Sequence, residues 1–135
     1  LFRSNRLGHA VRRRMLGGRM VNAVEFLDQL AERDRNKGVI AQNFEEIDAL
    51  MTPTTAFPAP ILGEHAEQES PGVFTRFANY FDLAAISLPA GVTPNGLPVG
   101  IQFVVPAFHE ARALDLAFRL ELHIGGPILC PLVGT

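Results

Sequence analysis

A β-hairpin signal constrains the fold of this 135-residue chain more than any other feature of its sequence. Two apolar runs, residues 85–92 and 99–105, are joined by a segment that contains Asn95 and Gly96. Asn-Gly between two strands is the strongest short-range hairpin signal, because both residues tolerate a positive φ. Both alternating sets of the second run are largely apolar, so neither face of that strand suits water. The sequence therefore predicts a β-hairpin at about residues 85–105 with covering layers on both faces.

Segments with apolar residues at helical spacing surround this hairpin. The spacing predicts helices over residues 21–35, 74–83 and 109–122, and a short buried strand over residues 47–51. Gly17 and Gly18 are expected to break any helix begun near His9, and Gly38 is expected to end or kink the next one, with a further turn or two over residues 39–46. The last helix has an apolar stripe of the kind that faces a core: Ala111, Leu114, Phe118 and Leu122. It is expected to stop at Gly125-Gly126-Pro127. This order of elements predicts an α/β layer structure, in which the chain forms the edge of a larger whole.

Composition excludes several classes of protein. Hydrophobic residues make up 47% of the chain and charged residues 19%, which is too apolar for a disordered chain. No apolar run reaches the roughly 18 residues that a membrane-spanning helix needs. The single cysteine, Cys130, excludes a disulfide scaffold and fits a reducing compartment, so we expect a cytoplasmic protein. A net charge of -2 gives no overall attraction to nucleic acid.

Basic charge is concentrated at the amino-terminal end of the chain. Six arginines precede the first carboxylate, which is Glu25: Arg3, Arg6, Arg12, Arg13, Arg14 and Arg19. Such an arm suits nucleic acid, an organellar transit peptide, or an internal segment of a larger protein. Composition alone leaves these three interpretations open.

No self-sufficient set of catalytic or metal-binding residues can be found in the sequence. The four histidines are far apart and zinc needs three or four convergent ligands, so we expect no metal site, and no motif calls for a cofactor. None of the serines lies in a known nucleophile motif, and Ser87 is expected to be a buried strand residue bonded to backbone. Lys37 is expected to be a solvated side chain at a helix end.

Several stretches of the chain carry short motifs that point to one family when they are read in order. They are Leu7–Gly17 (LGHAVRRRMLG), Asp48–Ala56 (DALMTPTTA), Thr75–Asn79 (TRFAN), Ser87–Gly91 (SLPAG), Gly96–Gln102 (GLPVGIQ) and the helix start at Glu110-Ala111. Together they resemble the amidase signature family of carboxamide hydrolases, with the departure that Ala10 replaces the usual Glu. The resemblance covers nearly the whole chain and corresponds to the carboxyl-terminal third of the enzyme.

The resemblance implies a fold and a division of labour. Residues 1–135 would be the carboxyl-terminal portion of a single amidase domain, a mixed sheet covered by helices, with the amino-terminal catalytic portion absent. The family hydrolyses a carboxamide C–N bond through an acyl-serine intermediate, with a second serine and a lysine as proton relay. Those groups and their Gly/Ser-rich loop lie upstream of the matched region, and no such loop occurs in this sequence. No catalytic residue is therefore expected here, and the chain alone is expected to be inactive.

What the resemblance does carry over is one wall of the substrate pocket. It implies five substrate-binding positions: Arg14, Gly72, Thr75, Arg76 and Asn79. Arg14 matches an arginine that grips the substrate carboxylate in the glutamine-dependent tRNA amidotransferase relatives. Gly72 stands where those relatives place an acidic residue for the amino group of the substrate, which argues against a free amino-acid amide here. The nearby Phe74, Phe77 and Phe81 would make the pocket apolar, unless they belong to the core.

Partners and alternatives follow from the same resemblance. We expect a small-molecule amide as substrate, the missing portion of the enzyme or a second copy of the chain as protein partner, and neither nucleic acid nor a membrane. The alternative to an enzyme part is a non-catalytic binding or assembly module that has kept the scaffold.

Overall fold

The computed structural model describes residues 7–61 and 70–125. The chain divides into two compact units, Leu1–Asn36 and Lys37–Thr135. Predictions on the first arginines, on residues 62–69 of the long loop, on Gly126-Pro127 and on Cys130 lie outside the described residues. No helix in the described part of the chain is long and apolar enough to cross a membrane.

Two helices lead into the sheet. Helix α1 spans His9–Gly17 and is followed by a 3₁₀ turn at Gly18–Met20, so the prediction that glycines end this helix is confirmed. Helix α2 spans Ala23–Asn43. It starts with a capping box, because the amide of Glu25 donates to Asn22 Oδ1 (2.9 Å) and the amide of Asn22 donates to Glu25 Oε2 (3.1 Å).

The expectation that Gly38 ends or kinks α2 is wrong. The helix continues for five residues beyond Gly38, to Asn43. A glycine in a helix interior costs only about 1 kcal/mol relative to alanine, and the flanking residues Lys37, Val39 and Ile40 can all be accommodated in a helix. A single glycine was therefore too weak a signal to end a helix of 21 residues.

Three antiparallel strands form the sheet. They are β1 (Leu50–Pro53), β2 (Ala84–Val92) and β3 (Pro98–Val105), and β3 lies in the centre in the order β1-β3-β2. The predicted hairpin is the β2–β3 pair, in which Ser87 is paired with Gln102 and Val92 with Pro98. Strand β1 pairs with the other edge of β3, with Thr52 opposite Gln102. The hairpin prediction is confirmed.

The turn of this hairpin differs from a two-residue Asn-Gly turn. The amide of Thr93 donates to Leu97 O and the amide of Gly96 donates to Thr93 O, both at 2.8 Å. Of the two turn residues, Gly96 (φ 78°) takes a positive φ and Asn95 does not. A three-residue loop of this kind needs a left-handed residue only at its last position, which glycine supplies without strain. The Asn-Gly signal thus predicted the hairpin correctly and the turn type incorrectly.

One helix covers one face of the sheet, and the beginning of another helix is bonded to the other face. Helix α4 (Glu110–Ile124) packs on one face, where Ala117 joins Leu88 and Phe103 in the core cluster. Helix α3 (Thr75–Phe81) follows a 3₁₀ turn at Pro71–Val73, and its beginning lies against the other face. The central strand is consequently buried along its second half, from Gln102 to Val105. The expectation that both faces of this strand are covered is confirmed.

The buried side of α4 is not the predicted stripe. Ala113 and Ala117 are the buried residues of this helix, and Leu116 and Leu120 pack partly against the core. The predicted stripe lies outside, since all four of its members are exposed: Ala111, Leu114, Phe118 and Leu122. Both sides of the helix are apolar, so the 3.6-residue period alone did not distinguish the side that meets the sheet. The stop at Gly125 is confirmed, because this glycine (φ 93°) closes the helix in a left-handed conformation and its amide donates to Glu121 O.

Candidate substrate-pocket wall

A row of polar side chains crosses the face of the sheet opposite α4. Thr52 of β1, Gln102 of β3 and Ser87 of β2 are direct cross-strand partners, so their side chains lie on one face. Gln102 is only 3% exposed, and it is the buried polar residue of the described chain. Its Nε2 donates to Thr52 Oγ1 (2.9 Å) and to Phe74 O (3.1 Å). One side-chain amide therefore joins the two neighbouring elements, β1 and the beginning of α3, to the central strand.

A second polar contact lies beside this row. The hydroxyl groups of Thr54 and Ser87 are 2.6 Å apart and share a hydrogen bond, and the amide of Thr54 donates to Gly100 O (2.9 Å). A Cβ at Gly100 would lie 2.9 Å from Thr54 Oγ1 and 3.3 Å from Ser87 Oγ. Glycine at position 100 thus permits the close approach of the segment after β1. This gives a physical reason for the second glycine of the GLPVGIQ stretch.

The expectation for Ser87 is corrected by this contact. Ser87 is an exposed strand residue, and its described hydrogen bond goes to the Thr54 hydroxyl rather than to backbone. The position expected for Lys37 is also corrected, because Lys37 lies inside α2 rather than at a helix end, and its 37% exposed side chain forms an ion pair with Asp82 at 2.8 Å. In both cases the partner is more than 30 residues away along the chain, so local sequence did not indicate it.

A cavity of about 310 Å³ opens where α3 meets this polar row. Its polar side chains come from four elements or their flanks and carry no charge: Thr54, Thr75, Asn79, Ser87 and Gln102. Its remaining lining is aliphatic: Ala78, Leu83, Ala85 and Ile86. Hydroxyl and amide groups of this kind can donate to and accept from a neutral polar ligand. We call this cavity with its lining the polar pocket.

The structure brings together some of the five predicted substrate-binding residues. Thr75 and Asn79 line the polar pocket. Gly72 lies in the 3₁₀ turn just before it, and Thr75 Oγ1 donates to Gly72 O (3.2 Å). Arg76 is exposed on α3 and is not part of the lining, and Arg14 is exposed in the last turn of α1, in the first unit.

The three phenylalanines near this segment are half-buried. Phe77 and Phe81 pack edge to face with ring centroids 5.1 Å apart, and none of the three lines the polar pocket. Sequence reasoning missed Thr54 and Gln102 as members of the pocket lining and Thr52 as the hydrogen-bond partner of Gln102. The signal that could have found Gln102 is a single amide within an apolar central strand, since such a group needs buried partners.

No metal centre is evident in the part of the chain that the structure describes. Residues 7–61 and 70–125 contain no group of three or more His, Cys, Asp or Glu side chains that could hold an ion.

Comparison with solved structures identifies the class of fold. The chain superimposes on a crystal structure of an amidase with a TM-score of 0.81 over 91% of its length, at 24% identity, and covers 30% of that amidase. It also matches a glutamyl-tRNA(Gln) amidotransferase chain of Thermotoga maritima with a TM-score of 0.69 over 98% of its length, at 26% identity and 32% of that chain. The fold class, an α/β fragment of the amidase-signature fold, is thereby confirmed.

The family follows from the sequence comparison. The family model named Amidase matches residues 2–114, and the chain belongs to this family. It is 33% identical over 127 residues to a glutamyl-tRNA(Gln) amidotransferase chain of Helicobacter pylori, a match that covers 88% of this chain and 28% of the relative. The corresponding amidotransferase chain of Dinoroseobacter shibae is 34% identical over 134 residues, covering 91% of this chain and 27% of the relative. The chain therefore spans little more than a quarter of the length of these relatives.

Proposed function

We propose that this chain is the carboxyl-terminal portion of an amidase that hydrolyses a carboxamide C–N bond through an acyl-serine intermediate. In this proposal the chain supplies scaffold and one wall of the substrate pocket, and the serine nucleophile and its proton relay come from the remainder of the enzyme. The observation that carries the proposal is the match of the family model to residues 2–114 of a chain that spans only about 28% of its relatives.

The residues of the chain support the absence of catalytic groups from it. The sequence contains no Gly/Ser-rich run of the type Gly-Gly-Ser-Ser-Gly-Gly, which the family uses to hold the nucleophile and the oxyanion. Lys37 is the only lysine, and its ammonium is paired with Asp82. The described lining of the polar pocket offers no base to the hydroxyl pair of Thr54 and Ser87, so these residues do not supply an activated nucleophile there.

The polar pocket supports a substrate whose bound part is neutral. A charged group in a cavity lined only by hydroxyl, amide and aliphatic groups would lose hydration without gaining a counter-charge. Gly72 offers no carboxylate where the amidotransferase relatives hold an amino group. We therefore propose a carboxamide without a free α-amino group, with Thr75 and Asn79 as hydrogen-bonding contacts. Arg14 and Arg76 remain proposed contacts for polar or anionic parts of the substrate.

The site of action that fits these features is the cytoplasm. The chain has one cysteine, Cys130, which suits a reducing compartment.

The test is complementation. The 135-residue chain is assayed for hydrolysis of benzamide alone and together with the polypeptide encoded upstream of Leu1, and ammonia release is measured. We expect no turnover by the chain alone and measurable turnover by the complex. Turnover by the isolated chain would overturn the assignment of catalysis to the remainder.

The complementation assay also separates an enzyme part from a non-catalytic module. A complex that binds the chain tightly and hydrolyses no amide, although the upstream polypeptide carries the lysine and the Gly/Ser-rich loop, would favour the binding or assembly module.

In an active complex, Gly72→Asp is expected to increase the preference for an amide with a free α-amino group over benzamide by roughly tenfold. Asn95→Asp, in the exposed hairpin turn and at a residue without a positive φ, is the control for the added charge.

A further inference from the structure

We propose that Gln102 is a positioning residue of the polar pocket: it holds the beginning of α3 against β1 and so fixes where Thr75 and Asn79 meet the substrate. We call the two hydrogen bonds donated by Gln102 Nε2 the clamp. The clamp follows from the geometry of this chain, whereas the binding of a substrate by Thr75 and Asn79 rests on the proposed amidase function. Experiments can therefore disprove the clamp and the proposed function independently of each other.

The burial of Gln102 indicates that its side-chain amide has a specific structural role. A primary amide taken out of water is costly unless its hydrogen bonds are replaced. Gln102 lies in the central strand between Ile101 and Phe103, where a valine or leucine would pack without that cost. Its Nε2 has two hydrogens, and the two described acceptors, Thr52 Oγ1 and Phe74 O, account for both. Both hydrogens of the donor group are thus committed to holding neighbouring elements.

The contact with Phe74 matters because α3 is short and has no side-chain cap at its start. The helix has seven residues, and no side-chain hydrogen bond caps its N-terminal end. Helices of this length are not stable by themselves, so tertiary contacts must fix them. Phe74 is the N-cap residue, whose carbonyl also accepts the first hydrogen bond within the helix. By holding this carbonyl, Gln102 sets the place at which the helix begins.

The two pocket residues follow directly from that point. Thr75 is the first residue of α3 and Asn79 lies about one turn later, and both line the polar pocket together with Gln102. The two acceptors are far from Gln102 in the sequence: Thr52 is 50 residues away and Phe74 is 28 residues away. Gln102 therefore connects segments that the chain itself does not hold together. A displacement of the beginning of α3 would move both pocket side chains without altering their chemistry. Positioning, rather than contact with reacting atoms, is therefore the role that we assign to Gln102.

The first measurement follows hydrogen exchange in the 135-residue chain. Gln102→Leu keeps a similar volume and removes the donor, and we expect the amides of α3 to exchange about tenfold faster, as for the loss of a buried hydrogen bond, while those of β3 change little. Gln42→Leu, on the exposed surface of α2, is the matched control and should leave α3 unchanged. Unaltered exchange in α3 of the Gln102→Leu chain would overturn the clamp.

A pH-dependent variant separates the donor from mere packing. Gln102→Glu has no donor when ionised and regains one when protonated. The described neighbours Thr52, Ser87 and Phe74 carry no titratable side chain, and Arg76 is exposed outside the pocket. Burial among uncharged groups raises the pKa of the introduced carboxyl, so protection of α3 should be low at high pH and recover as the pH falls. Protection that does not change with pH, relative to the unsubstituted chain at the same pH, would contradict the donor role.

A milder variant covers the case in which Gln102→Leu unfolds the whole chain. Thr52→Val removes one acceptor and leaves the bond to Phe74 O in place. We expect about threefold faster exchange in α3 with an intact sheet, which is less than the effect of losing the donor itself. Exchange equal to that of the unsubstituted chain would count against the clamp.

The functional arm uses the active complex described above. Gln102→Leu should raise KM for benzamide by roughly tenfold and change kcat by less than about twofold, because the pocket wall moves and the reacting groups do not. The raised KM of Gln102→Glu should fall again as the pH is lowered, relative to the unsubstituted complex. Equal KM values for all variants would overturn the positioning role. If no amide is hydrolysed by any complex but the exchange results hold, the proposed function fails and the clamp stands.

Discussion

Helices α2 and α4 both carry apolar residues at helical spacing, but they differ in burial. Helix α4 lies on the sheet and buries Ala113 and Ala117. Helix α2 has no buried residue, and most of its large apolar side chains are exposed, as for Phe26 (56% exposed) and Leu27 (62% exposed). Apolar residues at helical spacing thus form a helix in both cases, but buried residues occur in α4 and not in α2.

The difference identifies the exposed apolar surface of α2 as a surface for contact with other protein. Large exposed apolar surfaces on a soluble domain mark contacts with other protein. The chain spans about 28% of the length of its relatives, so the remainder of the enzyme is the partner that we propose for the α2 surface. In its absence, we expect a second copy of the chain to take that place.

The largest effect is expected for a charge placed on the covered side of α4. Ala113→Glu would bury an unpaired carboxylate at a position that is 3% exposed, and should lower the free energy of unfolding by about 3 kcal/mol or more. The adjacent Leu114→Glu, at 58% exposure, is the control and should change it by less than about 0.5 kcal/mol. Urea denaturation of the two variants measures both values. Equal losses would mean that α4 is not held against the sheet.

A smaller loss is expected in the polar row. In Gly100→Ala the new Cβ lies 2.9 Å from Thr54 Oγ1, so the hydroxyl pair of Thr54 and Ser87 must separate. We expect a destabilisation of about 1–3 kcal/mol by urea denaturation, as for other overpacked sites. A stability equal to that of the unsubstituted chain would show that the segment after β1 does not need this close approach.

The same substitution in α2 should have the opposite sign. No atom lies within 4 Å of the Cβ position at Gly38, and the residue is helical. Gly38→Ala should therefore stabilise the chain by about 0.5–1 kcal/mol through helix propensity. A loss of stability in the same denaturation experiment would reveal a covered surface at Gly38 and would break the contrast between α2 and α4.

The smallest effect on stability is expected on the open side of α2. Leu27→Gln should change the free energy of unfolding by less than about 0.5 kcal/mol, because the side chain buries little in this chain. Sedimentation should at the same time detect weaker self-association than in the unsubstituted chain. Asp28→Asn, on the polar side, is the control for a surface change. Unaltered association in Leu27→Gln would remove α2 from the interface.

Local patterns predicted most of the elements and some of their ends. The hairpin depends on Gly96, and the end of α4 on Gly125, because glycine adopts the left-handed conformation that each position needs. Such signals act over a few residues and can be found in the sequence. The passage of α2 through Gly38 could not be found in this way, because one glycine is a weak signal against the helix-compatible residues on both sides of it. The buried side of α4 could not be found either, because tertiary packing decides which of its apolar sides meets the sheet.

The candidate site was predicted in part. The family resemblance, now confirmed, indicated the segment that contains Gly72, Thr75 and Asn79, and the structure places this segment at the polar pocket. It did not indicate Thr54 or Gln102, whose roles depend on partners in other strands and turns. Their substrate contacts stay predictions until the active complex is assayed.

By itself, the sequence determined the hairpin and the need for cover on both faces of its second strand, and its motifs carried the resemblance to the family. The first two properties depend on residue type and on periods of two to four residues, which are fixed by backbone geometry. Tertiary structure alone decided that β1 pairs with β3, that α4 turns Ala113 and Ala117 inward, and that Gln102 joins Thr52 to Phe74. Such choices depend on which distant groups meet, because a hydrogen bond or a buried contact stabilises only the arrangement in which both partners are present.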